Sequence, residues 1–340
     1  SATEFDGGRD HHALAFSDYG LRVERTLARG HVLIARVAIN REDSQVSYSG
    51  LTQAEYEADP YGNPFPNDRF ETQRYTGALT YGWDVSPTLN VTTSAYSLYF
   101  NRDWWRQSSN SGQRPSDSSD PACGGMANLD TTCGTEGRLR EYNQYGVETR
   151  LNWASELFGA PTNLETGIRW HTERQNRLQI NADTPDGRDP GISVNGGIPE
   201  RQRRYAEALS AFVTGQIDFG AFSLSPGVRV ESIEYERVNL ATGASGRTDL
   251  TEVIPGVGAT FDLSSDLVIY AGVHRGFAPP RVEDVVTNGG GVVEQVRERI
   301  GVRPVAAEHE AAETQRPDQA VERLWAVGGG VDEDTRVDHD

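Results

Sequence analysis

The feature that most constrains this chain is alternation at period two, sustained over runs longer than a soluble sheet requires. From Leu267 onward, Leu267, Ile269, Ala271 and Val273 fall on one face, and Val268, Tyr270, Gly272 and His274 on the other. Successive side chains of a strand point to opposite sides, so this pattern writes an extended segment with two different faces. The run stops in Arg-Gly-Phe-Ala-Pro-Pro-Arg (275–281), where two prolines cannot donate to a ladder. Thr88 to Gln107, TLNVTTSAYSLYFNRDWWRQ, has the same design and ends in a corner of tryptophan and arginine.

The same reading along the chain predicts ten strands. They are Ala13–Leu27, His31–Asp43, Phe70–Trp83, Thr88–Trp104, Glu141–Ala154, Thr162–Arg177, Arg204–Phe219, Ala221–Arg237, Leu250–Asp262 and the run from Leu267. Short turns alternate strictly with long polar connections at 44–69, 105–140, 178–203 and 238–249. The first of these carries SGLTQAEYEADPYGNPFPNDR, too rich in Pro, Gly, Asn and Asp to be a strand. Many of the strands exceed the ~5–6 residues usual in soluble sheets. Their length suits a tilted membrane crossing of ~9–11 residues extended beyond the bilayer. Trp83, Trp104, Trp105 and Trp153 sit near strand ends, where aromatic girdles belong. No run approaches the ~18 apolar residues of a membrane helix, and a barrel strand does not need one. The expected fold is therefore all-β, an antiparallel transmembrane β-barrel; a soluble β-sandwich or β-helix is the alternative.

Composition narrows the partners. The formal net charge is -18, and all 32 basic residues are arginine. Nucleic-acid binders show a basic patch, so no nucleic acid is expected. Cys123 and Cys133 lie in CGGMANLDTTC among small polar residues. A disulfide closing this loop is the favoured reading and implies an oxidising compartment; two unpaired thiols are the alternative. A zinc site lacks a third and fourth ligand nearby in sequence. Alternation fails from Gln295 onward, so the chain divides into a strand-rich unit, 1–294, and a polar tail, 295–340. The tail reads as disordered or partly helical, or as the product of a shifted reading frame.

No catalytic constellation stands out, and no enzyme activity, metal site or cofactor is expected. The seven histidines are scattered, and there is no HExxH, GxSxG or phosphate-binding glycine loop. Arginine is the informative residue. Arg36, Arg150, Arg169 and Arg229 alternate with apolar neighbours, so in a barrel they face the lumen. Arg102, Arg106, Arg138, Arg140, Arg275 and Arg281 lie where strands meet long connections. Guanidinium groups bind carboxylates bidentately and stay charged, so a lumen and mouth lined with them would take an anionic chelate. The plainer reading is that they pair with lumen glutamates such as Glu148, Glu165 and Glu231.

Three segments carry a family resemblance: INREDSQVSYSGLTQAEYEADPYGNPFPNDRFE, LYFNRDWWRQSSNS and IYAGVHRGFAPPRVEDV. Over Ser1 to Glu294 the chain resembles the TonB-dependent outer-membrane receptors, with the ferric-citrate-type iron transporters as the nearest branch. The resemblance implies a partial barrel, about ten strands of a 22-stranded one, in the outer membrane of a Gram-negative cell. It implies active uptake of a ferric chelate, with outer-membrane lipid around the barrel and the TonB complex acting through an N-terminal plug. The chain opens on SATEFDGGRDHH, which reads as the middle of something longer; no plug, TonB box or terminal aromatic strand signal is recognisable, so the function is expected to be that of a parent receptor. The ligand-contacting positions of the family fall on Arg102, Trp104, Trp105, Arg106, Gln107 and Arg275. The alternatives are the same fold importing another nutrient, such as an oligosaccharide or vitamin, and a passive porin or adhesin.

Overall fold

A computed structural model describes residues 1–48, 50–51, 53–107, 134–192 and 196–293. Eleven strands form one antiparallel sheet in which each pairs only with its neighbours in sequence. They are β1 (Ala2–Asp6), β2 (Ala13–Ala28), β3 (His31–Gln45), β4 (Arg69–Ser86), β5 (Leu89–Gln107) and β6 (Thr135–Leu157), then β7 (Ala160–Asn181), β8 (Gly197–Phe219), β9 (Phe222–Asn239), β10 (Ser245–Ser264) and β11 (Leu267–His274). Two short helices, α1 (Gln53–Ala58) and α2 (Val282–Val285), lie in the connections. This meander is the wall of a membrane-type barrel. Cys123 and Cys133 and the tail 295–340 lie outside the described residues.

One end of the sheet is closed by two-residue turns and the other by long connections. Each of the turns β2–β3, β4–β5, β6–β7, β8–β9 and β10–β11 leaves just two residues between strands. The β6–β7 turn has Phe158 at φ 55° and Gly159 at φ 76°. Positive φ at both central residues is the mirror-image turn whose twist matches the strands it joins.

The register gives the sheet two chemically distinct faces. Leu21, Val37, Gly77 and Ser97 share a row, as do Val147, Trp170, Leu209 and Ser232. The outer face carries exposed apolar side chains, among them Leu21, Val37, Leu79, Val147, Ile168, Val213 and Val257. Apolar residues left exposed in a continuous band mark a lipid-facing surface. Aromatic residues bound that band. Tyr75 and Trp83 on β4, and Tyr145 and Trp153 on β6, are each eight residues apart on this face. Eight residues of strand cover ~27 Å along the chain, ~21 Å in height at a barrel tilt of ~40°, most of a lipid band ~25 Å tall.

The strands overshoot the girdle on the long-connection side, and here the structure extends the sequence reading. β6 begins at Thr135 rather than Glu141, β8 at Gly197 rather than Arg204, and β10 at Ser245 rather than Leu250. These added residues are mostly polar, with Leu139 and Ile198 isolated among them, so hydrophobic alternation gives no sign of a strand. β1 was not expected, because five residues carry too little alternation to register. α1 interrupts the connection before β4. After β11 the chain turns back onto the inner face instead of leaving the sheet. There Val285 and Val286 join Ile233, Tyr235 and Leu250 in a buried cluster, with Val286 fully buried.

Large aromatic side chains on the inner face rest on glycines of the next strand. Tyr96 lies across Gly146 and Phe212 across Gly167, where a Cβ on either glycine would collide with the ring. Tyr96 then accepts a hydrogen bond from Arg169 Nε at 3.0 Å and shares one with His171 Nδ1 at 2.7 Å.

Candidate functional site

Two populations of arginine line the inner face. Level with the lipid band Arg150, Arg169 and Arg229 each have a local partner, whereas Arg36 stands opposite Arg22 in register. Arg150 pairs with Glu148 on its own strand and with Glu165 at 3.2 Å on β7. Arg229 pairs with Glu231, and Arg169 bonds Tyr96. A strand places residues i and i+2 on one face, so such pairs form with no long-range arrangement. For Arg150 and Arg229 the plainer reading of the sequence holds, since their partners are the lumen glutamates it named.

Above the girdle the balance changes. Arg140 pairs in register with Arg177, and Arg204 with Arg237, and the two pairs meet diagonally at the β7–β8 seam, where Arg177 stands opposite Gln202. Like charges at adjacent cross-strand positions repel. The arginines are held by one acid of the sheet itself, Glu200 on β8, and one from beyond it. Glu200 lies 3.1 Å from Arg177 Nε and 3.5 Å from Arg204 Nη2. Glu283, from α2, places Oε2 2.6 Å from Arg204 Nη1 and Oε1 3.3 Å from Arg177 Nη1. Burial pushes the Glu283 carboxyl up, but Arg204 and Arg177 more than offset this and hold its pKa below the ordinary value. The Arg204 side chain is 5% exposed, and its Nε has no hydrogen-bond partner among the described residues.

The predicted contact residues sort by strand parity. Arg102, Trp104 and Arg106 lie on the inner face of β5 and form one cluster with Tyr48. The Arg106 guanidinium sits 4.3 Å from the Tyr48 ring centre and 5.1 Å from that of Trp104, and Arg102 is 5.9 Å from Trp104. Tyr48 and Phe70 meet Trp104 edge-on at 5.0 and 6.4 Å. Arg106 also pairs with Glu136 at 3.3 Å. Gln107 closes the β5–β6 ladder opposite Thr135, whose hydroxyl donates to the Arg106 carbonyl at 2.9 Å. Trp105 points the other way. It is 8% exposed, rests on Gly137 and is covered by the Arg188 guanidinium 4.8 Å from its ring centre. Burial, then the neighbouring Arg69, lowers the Arg188 pKa. Arg275 follows β11, six strands from β5, where it pairs with Glu252 and donates to the Val253 carbonyl at 2.8 Å.

Arg177, Arg204 and Arg237 were not among the predicted contacts. Each sits at an expected strand end or within an expected connection, and only the register and the returning segment bring them together. Parity along the strands was the available signal.

Such a wall, apolar outside, arginine-rich inside and closed by short turns at one end, is that of a membrane-type β-barrel. The chain matches the family TonB dependent receptor-like, beta-barrel over residues 17–308, and it belongs to that family. The match continues past Glu294, where alternation stops. Among solved structures it is similar to the ferric citrate transporter FecA in the unliganded form, at 19% identity and TM-score 0.66, over 78% of this chain and 36% of that one. It is similar to BauA, the ferric preacinetobactin receptor of Acinetobacter baumannii, at 11% identity and TM-score 0.59, over 86% of this chain and 44% of that one. The copper transporter OprC matches at 11% identity and TM-score 0.59, over 84% of this chain and 41% of that one. The chain therefore spans less than half the length of these structures, and the likeness is one of fold.

Proposed function

We propose that this chain forms part of the wall of an outer-membrane receptor that imports an anionic metal chelate of the ferric citrate or siderophore type, driven through TonB. The observation that carries the reading is the row Arg140, Arg177, Arg204 and Arg237 on the inner rim, facing Glu200 and Glu283. Arginine forks match carboxylates bidentately, and a partly dehydrated setting strengthens that match. Arg102, Trp104 and Arg106 would form a second contact surface on β5, with the aromatic group offering a flat face. In this reading Trp105 supports the wall behind Trp104, and Arg275 serves a separate part of the mouth. The likeness to FecA, a ferric citrate transporter, and to BauA, a ferric preacinetobactin receptor, favours a ferric chelate.

The test is binding to the receptor in outer-membrane vesicles. Ferric citrate and ferric siderophores are expected to bind, and Arg177→Gln with Arg204→Gln is expected to weaken that binding at least ten-fold. Tight binding of a neutral oligosaccharide, with none of any ferric chelate, would reject the reading in favour of another nutrient.

A further inference from the structure

The acid that completes the arginine row does not belong to the wall. Glu283 lies 79 residues beyond Arg204, in the segment that follows β11, and its carboxylate is divided between two guanidinium groups. This is how a bound dicarboxylate or tricarboxylate would present one of its arms. We infer that the Arg177–Arg204 pair is a carboxylate site which the chain's own Glu283 occupies, so that an anionic ligand binds there by displacing Glu283 and releasing segment 275–293. The inference rests on the uptake reading above and adds a competitor to it.

The construction of the segment fits a part that docks and leaves. α2 has four residues, too few to persist alone, so it keeps its form only while docked. Its attachments are separate from the wall ladder. Arg237 Nη1 donates to the Val286 carbonyl at 2.9 Å. Gln202 and Asn239 donate to Asn288 Oδ1 at 2.9 and 3.0 Å. Val285 and Val286 supply the apolar contact. Beyond them a tight turn brings Gly290, at φ +84°, against Gly246, so closely that a Cβ on either would collide with the other strand of the contact.

Charge sets what may replace it. Removing Glu283 leaves Arg177 and Arg204 to share Glu200, and buried positive charge without a counter-charge is costly. The incoming group must restore at least one negative charge, and a ligand with two or more carboxylates can span Arg177 and Arg204 together. A neutral ligand of the same size cannot displace Glu283 on these terms.

Hydrogen exchange of residues 282–293, read by mass spectrometry on the receptor in vesicles, tests this with ferric citrate as the probe. Ferric citrate is expected to raise exchange in this segment. Glu283→Gln is expected to raise it without any probe, to bind ferric citrate about ten-fold more tightly because the competitor is gone, and to show no further rise on binding. Glu283→Asp should restore the wild-type pattern. Ferric citrate that binds with wild-type strength to Glu283→Gln, or that leaves exchange at 282–293 unchanged, overturns the competition while leaving the uptake reading standing. Absence of binding by ferric citrate and by ferric siderophores alike removes both.

Discussion

The lumen wall and the rim above it use the same residue for different ends. In the wall, Arg150 and Arg229 are neutralised by a glutamate two positions away on the same strand. At the rim, Arg140, Arg177, Arg204 and Arg237 adjoin one another, and Glu283 reaches them from a distant segment. Local pairs need only strand geometry and hold through any rearrangement of the connections. Pairs made with a returning segment last only while that segment stays docked. On the inference drawn above, one arginine-rich face is inert at one level and responsive at another.

The comparison breaks most severely with charge reversal. Arg204→Glu would place three carboxylates beside Arg177 in a nearly buried site. Loss of a buried ion-pair partner costs about 3–5 kcal/mol, so segment 275–293 should undock entirely, seen as full hydrogen exchange at Val285 and Val286. Next, Arg204→Gln should weaken ferric chelate binding at least ten-fold, while Arg229→Gln, in the wall, should change it less than two-fold. Equal losses at both sites would erase the distinction drawn here.

Acid offers a third test. The folded Glu283 pKa lies below its ordinary value of 4.5, so its contribution is complete above that value and lost as pH falls through the lower folded value. A spin label at Thr287 should report constant immobility from pH 7 to about 5 and release at more acidic pH, with Glu283→Gln already mobile throughout. The smallest effect belongs to Arg22→Gln. Its pair with Glu24 is about half exposed, so the urea midpoint in lipid should shift by an amount equivalent to ~0.5 kcal/mol or less.

Ten of the eleven strands were legible in the sequence because a lipid-facing surface forces apolar residues onto every second position. The reading lost the strands where that force ends. Thr135 to Arg140 and most of Gly197 to Arg203 pair in the ladder above the lipid band, where no lipid-facing surface forces apolar residues onto every second position. The corner Asn-Arg-Asp-Trp-Trp-Arg-Gln was correctly placed at a strand end. Its adjacent tryptophans were grouped together, although a strand must send Trp104 and Trp105 to opposite sides. Arg177, Arg204 and Arg237 were beyond reach for another reason. Their meeting depends on the stagger between strands and on the fold-back of residues 275–293, neither of which period two encodes. Gly290 marks that fold-back only once its partner Gly246 is known.

The overshoot of the strands has a consequence for the rate at which a ligand is captured. Arg138 lies seven residues above Tyr145 on β6, ~24 Å along the strand and therefore ~18 Å in height at a tilt of ~40°. Fields in physiological salt decay over about 8 Å, so negative charge at the membrane surface is largely screened at that height. An approaching anion meets the arginines of the rim before it feels the repulsion of the cell surface. In the uptake proposed above, encounter is thus steered by the wall itself, and its rate should fall with added salt even though the chain as a whole is strongly acidic.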